Sequence, residues 1–598
     1  MTNKYDVIIV GASFGGVAAA LSIASFDSVR VLLLEESDWI GGQATVQGVT
    51  RWDEADSMPV ESSGSNRSYR DLRNAIRDWY ATHATLSADG YKQRFFNPGF
   101  AKAGPPFSLG ANPFRCDPNV ATEILQQKLQ QHSRFITVRH GVRIETAEVV
   151  DGVVRFLRSA EGEEFHASFY LDATDLGDLL QVCEVPWRIG AESQGDTGER
   201  SAPAQRHSEH IQPITIPIAV ELTGSEEEHP IPKPLNYDTI AANQQFSVED
   251  GDISTVFTEP APGADTLWNY RQYLDPANFS DKNHALSRTT INYGSNDYQA
   301  AAIPTGSLEG DRRVIEEARE VSIACLYWLQ NFCPRDDREG TGYLNIKLLA
   351  GALGRDDGTA AQPYIRESRR LARPAEVVVQ SDIEAPSNID EMARGAYLFA
   401  DSCGIGWYGI DVHSASRGKP CIGTPWLGFG TYPFQIPTGA LYSMTHANFV
   451  AACKNIGTTH VTSGAYRVHP VEWAIGEAAG ALAAFCVTNG YAPAQVRGDR
   501  AVLISYQQAL LERGVPLFWW KDVSFDSDAE TFVAVQLLSV HGLIDPGDTL
   551  CFRPSDGFTD ADKAFVVQRL RHAVPWPTGF QSRGSAAVWL CKHLDWLK

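Results

Sequence analysis

A four-residue apolar run, Val7-Ile8-Ile9-Val10, leads straight into Gly11-Ala12-Ser13-Phe14-Gly15-Gly16. A short apolar run closed by a glycine turn reads as a buried parallel strand. Residues 17–26 (VAAALSIASF) then read as a helix, and 29–34 (VRVLLL) as a second strand. Strand, tight turn, helix and strand make a βαβ unit, whose crossover is right-handed. No other feature of the 598 residues constrains the fold as strongly. It predicts an α/β protein that starts with a Rossmann-type nucleotide-binding sheet.

The turn has a chemistry of its own. A helix N-terminus presents unpaired N–H groups and the positive end of its dipole, which suits a pyrophosphate. Against G-x-G-x-x-G, Gly11 and Gly16 hold the first and third positions and Ser13 replaces the second. Serine is small enough to let the backbone approach a ligand. Glu35 closes the second strand, 19 residues past Gly16 (35 − 16). A carboxylate there accepts hydrogen bonds from ribose hydroxyls and disfavours a 2′-phosphate. Glu36 reads as its solvated neighbour. The pattern predicts a dinucleotide site on Gly11, Ser13, Gly15, Gly16 and Glu35, and a purely structural βαβ unit is the competing reading.

After Glu35 come Ile40-Gly41-Gly42-Gln43-Ala44-Thr45, and further on Leu171-Asp172-Ala173-Thr174-Asp175-Leu176-Gly177-Asp178. Residues 455–470 (NIGTTHVTSGAYRVHP) lead into an apolar helix, 471–488, that carries Gly476 and Gly480. With these segments the chain resembles the FAD-dependent oxidoreductases of the glutathione-reductase-like Rossmann superfamily. The narrower likeness is to a subgroup some members of which carry the label xanthan lyase. Residues 364–370 (YIRESRR) and 409–413 (GIDVH) share that likeness, which spans residues 5 to about 490. Many relatives have Ala-Gly-Arg where this chain has Ala452-Cys453-Lys454. The resemblance implies FAD as cofactor. It places Gly41, Gly42, Gln43, Ala44 and Thr45 along the pyrophosphate toward the flavin, Asp175 in the strand-turn segment, and Gly476 in a helix packed beneath the cofactor. It further implies a substrate pocket between the FAD domain and an inserted domain.

The FAD-binding domain is expected to be discontinuous, residues 1–190 and 395–490, around an inserted α+β substrate domain at 191–394. Within the first part, 117–132 reads as a helix capped by Asp117 with Pro118 in its first turn. Strand patterns at 135–139, 142–149, 153–158 and 165–171 read as a small meander returning to the main sheet. Residues 491–598 read as a helical C-terminal region. Its His541-Gly542-Leu543-Ile544, Phe552-Arg553-Pro554 and Phe558-Thr559-Asp560-Ala561-Asp562 resemble one S-layer homology repeat. A single copy argues for a packed helical appendage or an oligomer contact rather than a wall anchor.

Composition narrows the partners. With 51 basic and 73 acidic residues the formal charge is −22, which repels phosphate backbones and anionic membranes. Nucleic acid is not an expected partner, and no membrane span is expected. The ten cysteines contain no C-x-x-C pair, and the histidines are dispersed without H-E-x-x-H, so no metal site is expected. Sparse thiols and an N-terminus without a leader pattern point to a cytoplasmic protein. Homo-oligomers are compatible with all of this.

The polar residues expected near the flavin are His413, His460, Arg467 and His469. A histidine can take the proton released as hydride leaves carbon, and an arginine can hold a substrate carboxylate. A structural role is the competing reading for each of the four. Arg366, Arg369 and Arg370 read as structural ion-pair partners, and Trp407, Tyr408, Trp426 and Tyr432 as pocket walls or packing. The function read from this is an oxidase or dehydrogenase that moves hydride from a small polar substrate (amine, amino acid or alcohol) to flavin N5, with O2 or another electron acceptor. A flavin-dependent monooxygenase is the alternative enzyme. A carbohydrate- or cell-wall-binding protein with a structural flavin is the alternative of another class.

Overall fold

The computed structural model describes residues 5–55, 59–93, 95–100, 113–249, 253–261, 264–385, 396–413, 427–547, 549–577, 579–580 and 582–597. Trp426 lies outside them. The expected βαβ unit is present as strand β1 (Val7–Val10), helix α1 (Phe14–Ala24) and strand β2 (Val31–Leu34). The helix starts at Phe14, ahead of the expected 17, because Ser13 caps it and its hydroxyl accepts from Gly16 N–H at 3.2 Å. This is the ordinary work of an N-cap serine.

Five parallel strands make the main sheet. Their order is Phe449–Ala451, β7 (Phe169–Asp172), β1, β2 and β3 (Ile136–Arg139). In register, Val10 stands between Leu34 and Asp172. Gly11, Glu35 and Ala173 therefore emerge together at the carboxyl edge, where open α/β sheets bind ligands.

The meander expectation needs one correction. Residues 136–139 are not its first strand; they pair parallel with β2 as the outer strand of the main sheet. The meander itself is β4 (Ile144–Val150), β5 (Val153–Ser159) and β6 (Glu164–Phe165). Periodicity cannot tell these apart, since a short apolar run fits either partner. The expected helix over 117–132 spans Pro118–Gln131, with Asp117 accepting from Asn119 N–H at 2.9 Å.

A second, antiparallel sheet orders Gln272–Leu274, Ser287–Ile291, Ile218–Leu222 and Ile346–Leu348. The 24-residue helix Leu308–Asn331 covers it, packing Cys325, Leu326 and Leu329 on Ile218 and Val220.

The expected helix over 471–488 runs His469–Asn489. It is long and apolar enough to cross a membrane by composition, yet nearly all of it is buried against α1 and the sheet. Gly476 and Gly480 make this possible. A Cβ on Gly476 would stand 2.0 Å from Gly15 O, and one on Gly480 2.4 Å from Ala19 O.

The C-terminal region is packed into the same core. Val515, Leu517, Phe518 and Trp520 are buried. Leu517 O accepts from Ser402 Oγ (2.9 Å) and Gln435 Nε2 (2.7 Å), and Gln536 Oε1 accepts from Leu517 N–H (2.8 Å). Burying each large apolar side chain is worth roughly 1.5–3 kcal/mol. Deleting residues 515–598 is therefore expected to give aggregated or poorly folded protein. Size-exclusion chromatography and thermal melting check this, and a monodisperse, cooperatively melting 1–514 protein would show the region to be dispensable.

Candidate functional site

The first part of the site is a groove at the carboxyl edge of the main sheet. Gly11 takes φ +95°, and a Cβ there would meet Ala173 O at 2.4 Å. Gly41 (φ +94°) donates its N–H to Ala12 O at 2.7 Å, and Gly42 turns again with φ +48°. Glu35 reaches back across this turn. Its Oε2 accepts from Ala12 N–H at 2.7 Å, and its Oε1 from Ser37 N–H (2.9 Å) and Oγ (2.8 Å). Burial raises the Glu35 pKa, and those hydrogen bonds oppose the rise.

Gly11, Ser13, Glu35, Gly42, Gln47 and Asp175 line one cavity of ≈ 550 Å³. Gly15, Gly16, Gly41, Gln43, Ala44, Thr45 and Gly476 do not line it; they build the wall behind. Glu36 lines it too, so it is more than the solvated neighbour its position suggested.

Behind the wall lies a buried charge cluster. Gly15 N–H donates to Glu472 Oε1 at 3.0 Å, and Gln43 Nε2 donates to Glu472 Oε2 and to Arg467 O. Lys454 Nζ contacts Asp175 and stands 3.6 Å from Glu472 Oε2. Burial alone would lower the Lys454 pKa, but Asp175 and Glu472 outweigh it and hold the ammonium charged. Asp175, Cys453 and Glu472 converge closely enough to suggest a metal, and the Lys454 cation answers that charge instead. The other converging group is His207, Glu209 and His210. Its two imidazoles stack at 4.2 Å and 6°, and His207 Nδ1 lies 2.9 Å from Glu209 Oε1.

The second part is a polar cluster beside the antiparallel sheet. His413 lies between two carboxylates, Nδ1 at 2.9 Å from Asp297 Oδ2 and Nε2 at 3.2 Å from Asp411 Oδ2. Arg366 pairs with the other oxygen of Asp297 at 2.9 Å. Arg467 donates to Asp411 Oδ2 and O, each at 3.0 Å, and to Tyr364 OH at 2.7 Å. Burial and Arg366 pull the His413 pKa down, but the two carboxylates prevail and the net shift is upward. Within this cluster only Asp411 (31% exposed) and His413 (27%) are open to solvent; Asp297 (1%), Arg366 (3%) and Arg467 (3%) are not.

These positions revise the roles expected of the four polar residues. The two carboxylates beside His413 favour its protonated form, which works against a proton-acceptor role. His469 stacks on Trp52 (5.7 Å, 9°), and its Nδ1 accepts from Asp53 N–H at 3.0 Å. Burial pulls its pKa down to about 3, so it is neutral and a poor base. Arg467 is spent on Asp411 and Tyr364 inside the protein. His460 lies apart from this cluster, with Nδ1 at 3.0 Å from Glu367 Oε2 and its backbone N–H on Glu192. Arg369 and Arg370 pair with Asp178 and with Glu192 and Glu367, the structural role expected of them. Trp407 is a packing residue whose indole donates to Thr431 O. Asp297 and the pairing of Lys454 with Asp175 escaped the sequence reading, because those partners come from distant segments, while Asp411 entered it only as part of the 409–413 segment.

The family model described as FAD dependent oxidoreductase matches residues 6–510. The chain belongs to this family. FAD is its cofactor, and it is a flavoenzyme. The residues fit that cofactor: Glu35 would serve the adenosine ribose and the α1 N-terminus the pyrophosphate, and the groove holds a buried Gln47 Oε1 with no partner among the described residues. Curated proteins give no match.

Among solved structures, the myxobacterial chondrochloren halogenase CndH is similar at 11% identity, over 99% of this chain and 96% of that one, TM-score 0.34. A flavin-containing monooxygenase from Stenotrophomonas maltophilia is similar at 14% identity, over 29% and 39%, TM-score 0.17. OTEMO in an FAD-bound form is similar at 14% identity, over 29% and 26%, TM-score 0.17. The chain thus spans about a quarter of the length of OTEMO.

Two outcomes follow for this oxidoreductase. Glu35→Ala is expected to weaken FAD retention by about 1–3 kcal/mol, the scale of a lost hydrogen bond to a charged group, as read by the dissociation constant of FAD for the stripped protein. The second outcome concerns acid stability. His469 has its folded pKa depressed to about 3 against an ordinary 6.5, so the unfolded chain binds more protons between those values. Its contribution is complete above pH 6.5 and is lost as pH falls toward 3, at up to roughly 1.4 kcal/mol per pH unit. Urea melts from pH 7 to 4 should show a shallower acid limb in His469→Asn than in the wild type.

Proposed function

We propose that this FAD-dependent oxidoreductase oxidises a small polar amine or amino acid, which docks its nitrogen on Asp411. The observation that carries the reading is the Asp297–His413–Asp411 array, whose solvent-reachable end is a carboxylate held ionised. Burial opposes that ionisation, but His413 and Arg467 push the Asp411 pKa far below the ordinary carboxylate range.

Such a carboxylate is a weak base and a strong anion. It suits a reaction that creates positive charge better than one that needs a proton removed. A neutral amine that loses hydride from its α-carbon becomes an iminium cation, with the nitrogen lone pair forming the C=N bond. Asp411 would stabilise that cation as it forms, and preorganised charge of this kind is a major source of rate. FAD, when bound, supplies the two-electron acceptor, and O2 or another oxidant regenerates it. An alcohol would also have to shed its hydroxyl proton, and neither His413 nor His469 is in a state to take it. The role of His413 is then to hold Asp411 in place and to donate a hydrogen bond, with Asp297 and Arg366 fixing its ring.

Anaerobic stopped-flow bleaching of the flavin with a panel of amines, amino acids and alcohols tests this. Amines should bleach it, and Asp411→Asn should slow bleaching by roughly 10²-fold with FAD content unchanged. Wild-type rates in Asp411→Asn would overturn the proposal. Bleaching by NAD(P)H alone, with oxygen appearing in a product, would replace it with the monooxygenase reading.

A further inference from the structure

A second cavity, of ≈ 270 Å³, lies away from the FAD groove and shares no lining residue with it. Ala191, Ala202, Pro203, Leu427 and Val461 supply apolar wall, and Glu192, Glu199, Ser201, His210 and His460 supply polar groups. The two glutamates differ in one respect. Glu192 is fully engaged: Oε1 accepts from Arg370 and pairs with Arg188, and Oε2 accepts from His460 N–H at 2.8 Å. Glu199 is 3% exposed. Its Oε1 accepts from Thr459 Oγ1 (2.7 Å) and Gln380 N–H (2.8 Å). Its Oε2 is buried and has no hydrogen-bond partner among the described residues, and Glu199 takes part in no salt bridge among them.

His460 lies beside it, its Nδ1 3.0 and 3.1 Å from the two oxygens of Glu367. Among the described residues Nε2 makes no hydrogen bond. Ser201 Oγ accepts from Gln380 Nε2 at 2.9 Å, which leaves its own O–H to donate. Glu199 thus brings to this space a buried carboxylate oxygen with no cationic partner among the described residues, beside the Ser201 hydroxyl. Leaving such a carboxylate buried without a counter-charge is costly.

We infer that this cavity is a binding site for a small organic cation, a primary ammonium group seated on Glu199 Oε2 beside Ser201 and His460, with its aliphatic part against Leu427 and Val461. An ammonium brings the positive charge that Glu199 lacks among the described residues. A neutral alcohol would leave the carboxylate uncompensated, and an anion would be repelled. The site is separate from Asp411 and goes beyond the proposed reaction: it stands or falls whatever the oxidised substrate is. It would hold an amine as effector, product or waiting substrate.

The probe is n-butylammonium, with 1-butanol as its neutral isostere, titrated calorimetrically into the FAD-loaded full-length Asp411→Asn variant so that the other acidic site does not contribute. Saturable one-to-one binding of n-butylammonium, with 1-butanol much weaker, is expected. Adding Glu199→Gln should weaken that binding by roughly 30-fold or more, the usual scale for one half of a buried charge pair. Should Glu199→Gln not fold, Ala202→Leu, which narrows the cavity without touching a charge, should abolish binding instead. No saturable binding in Asp411→Asn, equal binding by 1-butanol, or unchanged affinity in a folded Glu199→Gln or Ala202→Leu protein would each overturn the assignment. Flavin bleaching by amines reports on the Asp411 proposal alone, so the two ideas fail separately.

Discussion

The contact between α1 and the helix His469–Asn489 organises the cofactor end of the molecule. The two helices touch backbone to backbone, Gly476 on Gly15 and Gly480 on Ala19, with no room for even a methyl group at either glycine. That approach brings Glu472, three residues into the second helix, onto the N–H of Gly15 in the phosphate turn. A carboxylate at a helix N-terminus is favourable in itself. Here it also joins segments 457 residues apart in the chain, and it draws Gln43 and Lys454 into the same cluster. Anything that loosens the helix pair disturbs the glycine turn, the Gly41–Thr45 segment and the base of the cofactor groove together.

Close packing of this kind encloses charges, and the protein handles them by local pairing. Lys454 answers Asp175 and Glu472, Arg370 answers Glu192 and Glu367, Arg366 answers Asp297, and Arg271 answers Asp53 at 2.7 Å. Buried charges survive only when paired or hydrogen-bonded. The net charge of −22 therefore says little about the interior. The places where pairing is incomplete carry more information. Asp411 keeps one side open to solvent, and Glu199 keeps one oxygen bare. Asp411, already paired with Arg467 and His413, offers a solvent-facing carboxylate, whereas Glu199 favours a ligand that brings positive charge.

The two histidines near the polar cluster show how far environment overrides residue type. His413 and His469 have the same solution chemistry. One sits between two carboxylates and is driven toward the charged form, while the other lies flat on Trp52 and is driven toward the neutral form. Desolvation acts on both in the same direction; the sign of the outcome is set by whether a carboxylate reaches the ring. A proton-acceptor role, reasonable for either residue as a free imidazole, does not survive these surroundings.

Local sequence was enough to determine the βαβ unit, its glycine turn, the carboxylate at the end of β2 and the long apolar helix. Each depends on residues within a few turns of one another: Val7–Val10 against Gly11, Ser13 against Gly16, Asp117 against Asn119. Short-range sterics and capping leave such segments little choice. It could not determine that 136–139 joins the main sheet, that 515–520 belongs to the core, or which polar groups meet. Those outcomes depend on partners far away in the chain. Asp297 comes to His413 across 116 residues, Thr459 comes to Glu199 across 260, and Lys454 comes to Asp175 across 279. Protonation states and open coordination follow from such meetings, because a charge in a low-dielectric interior is governed by its nearest neighbours, and only the folded chain decides who they are.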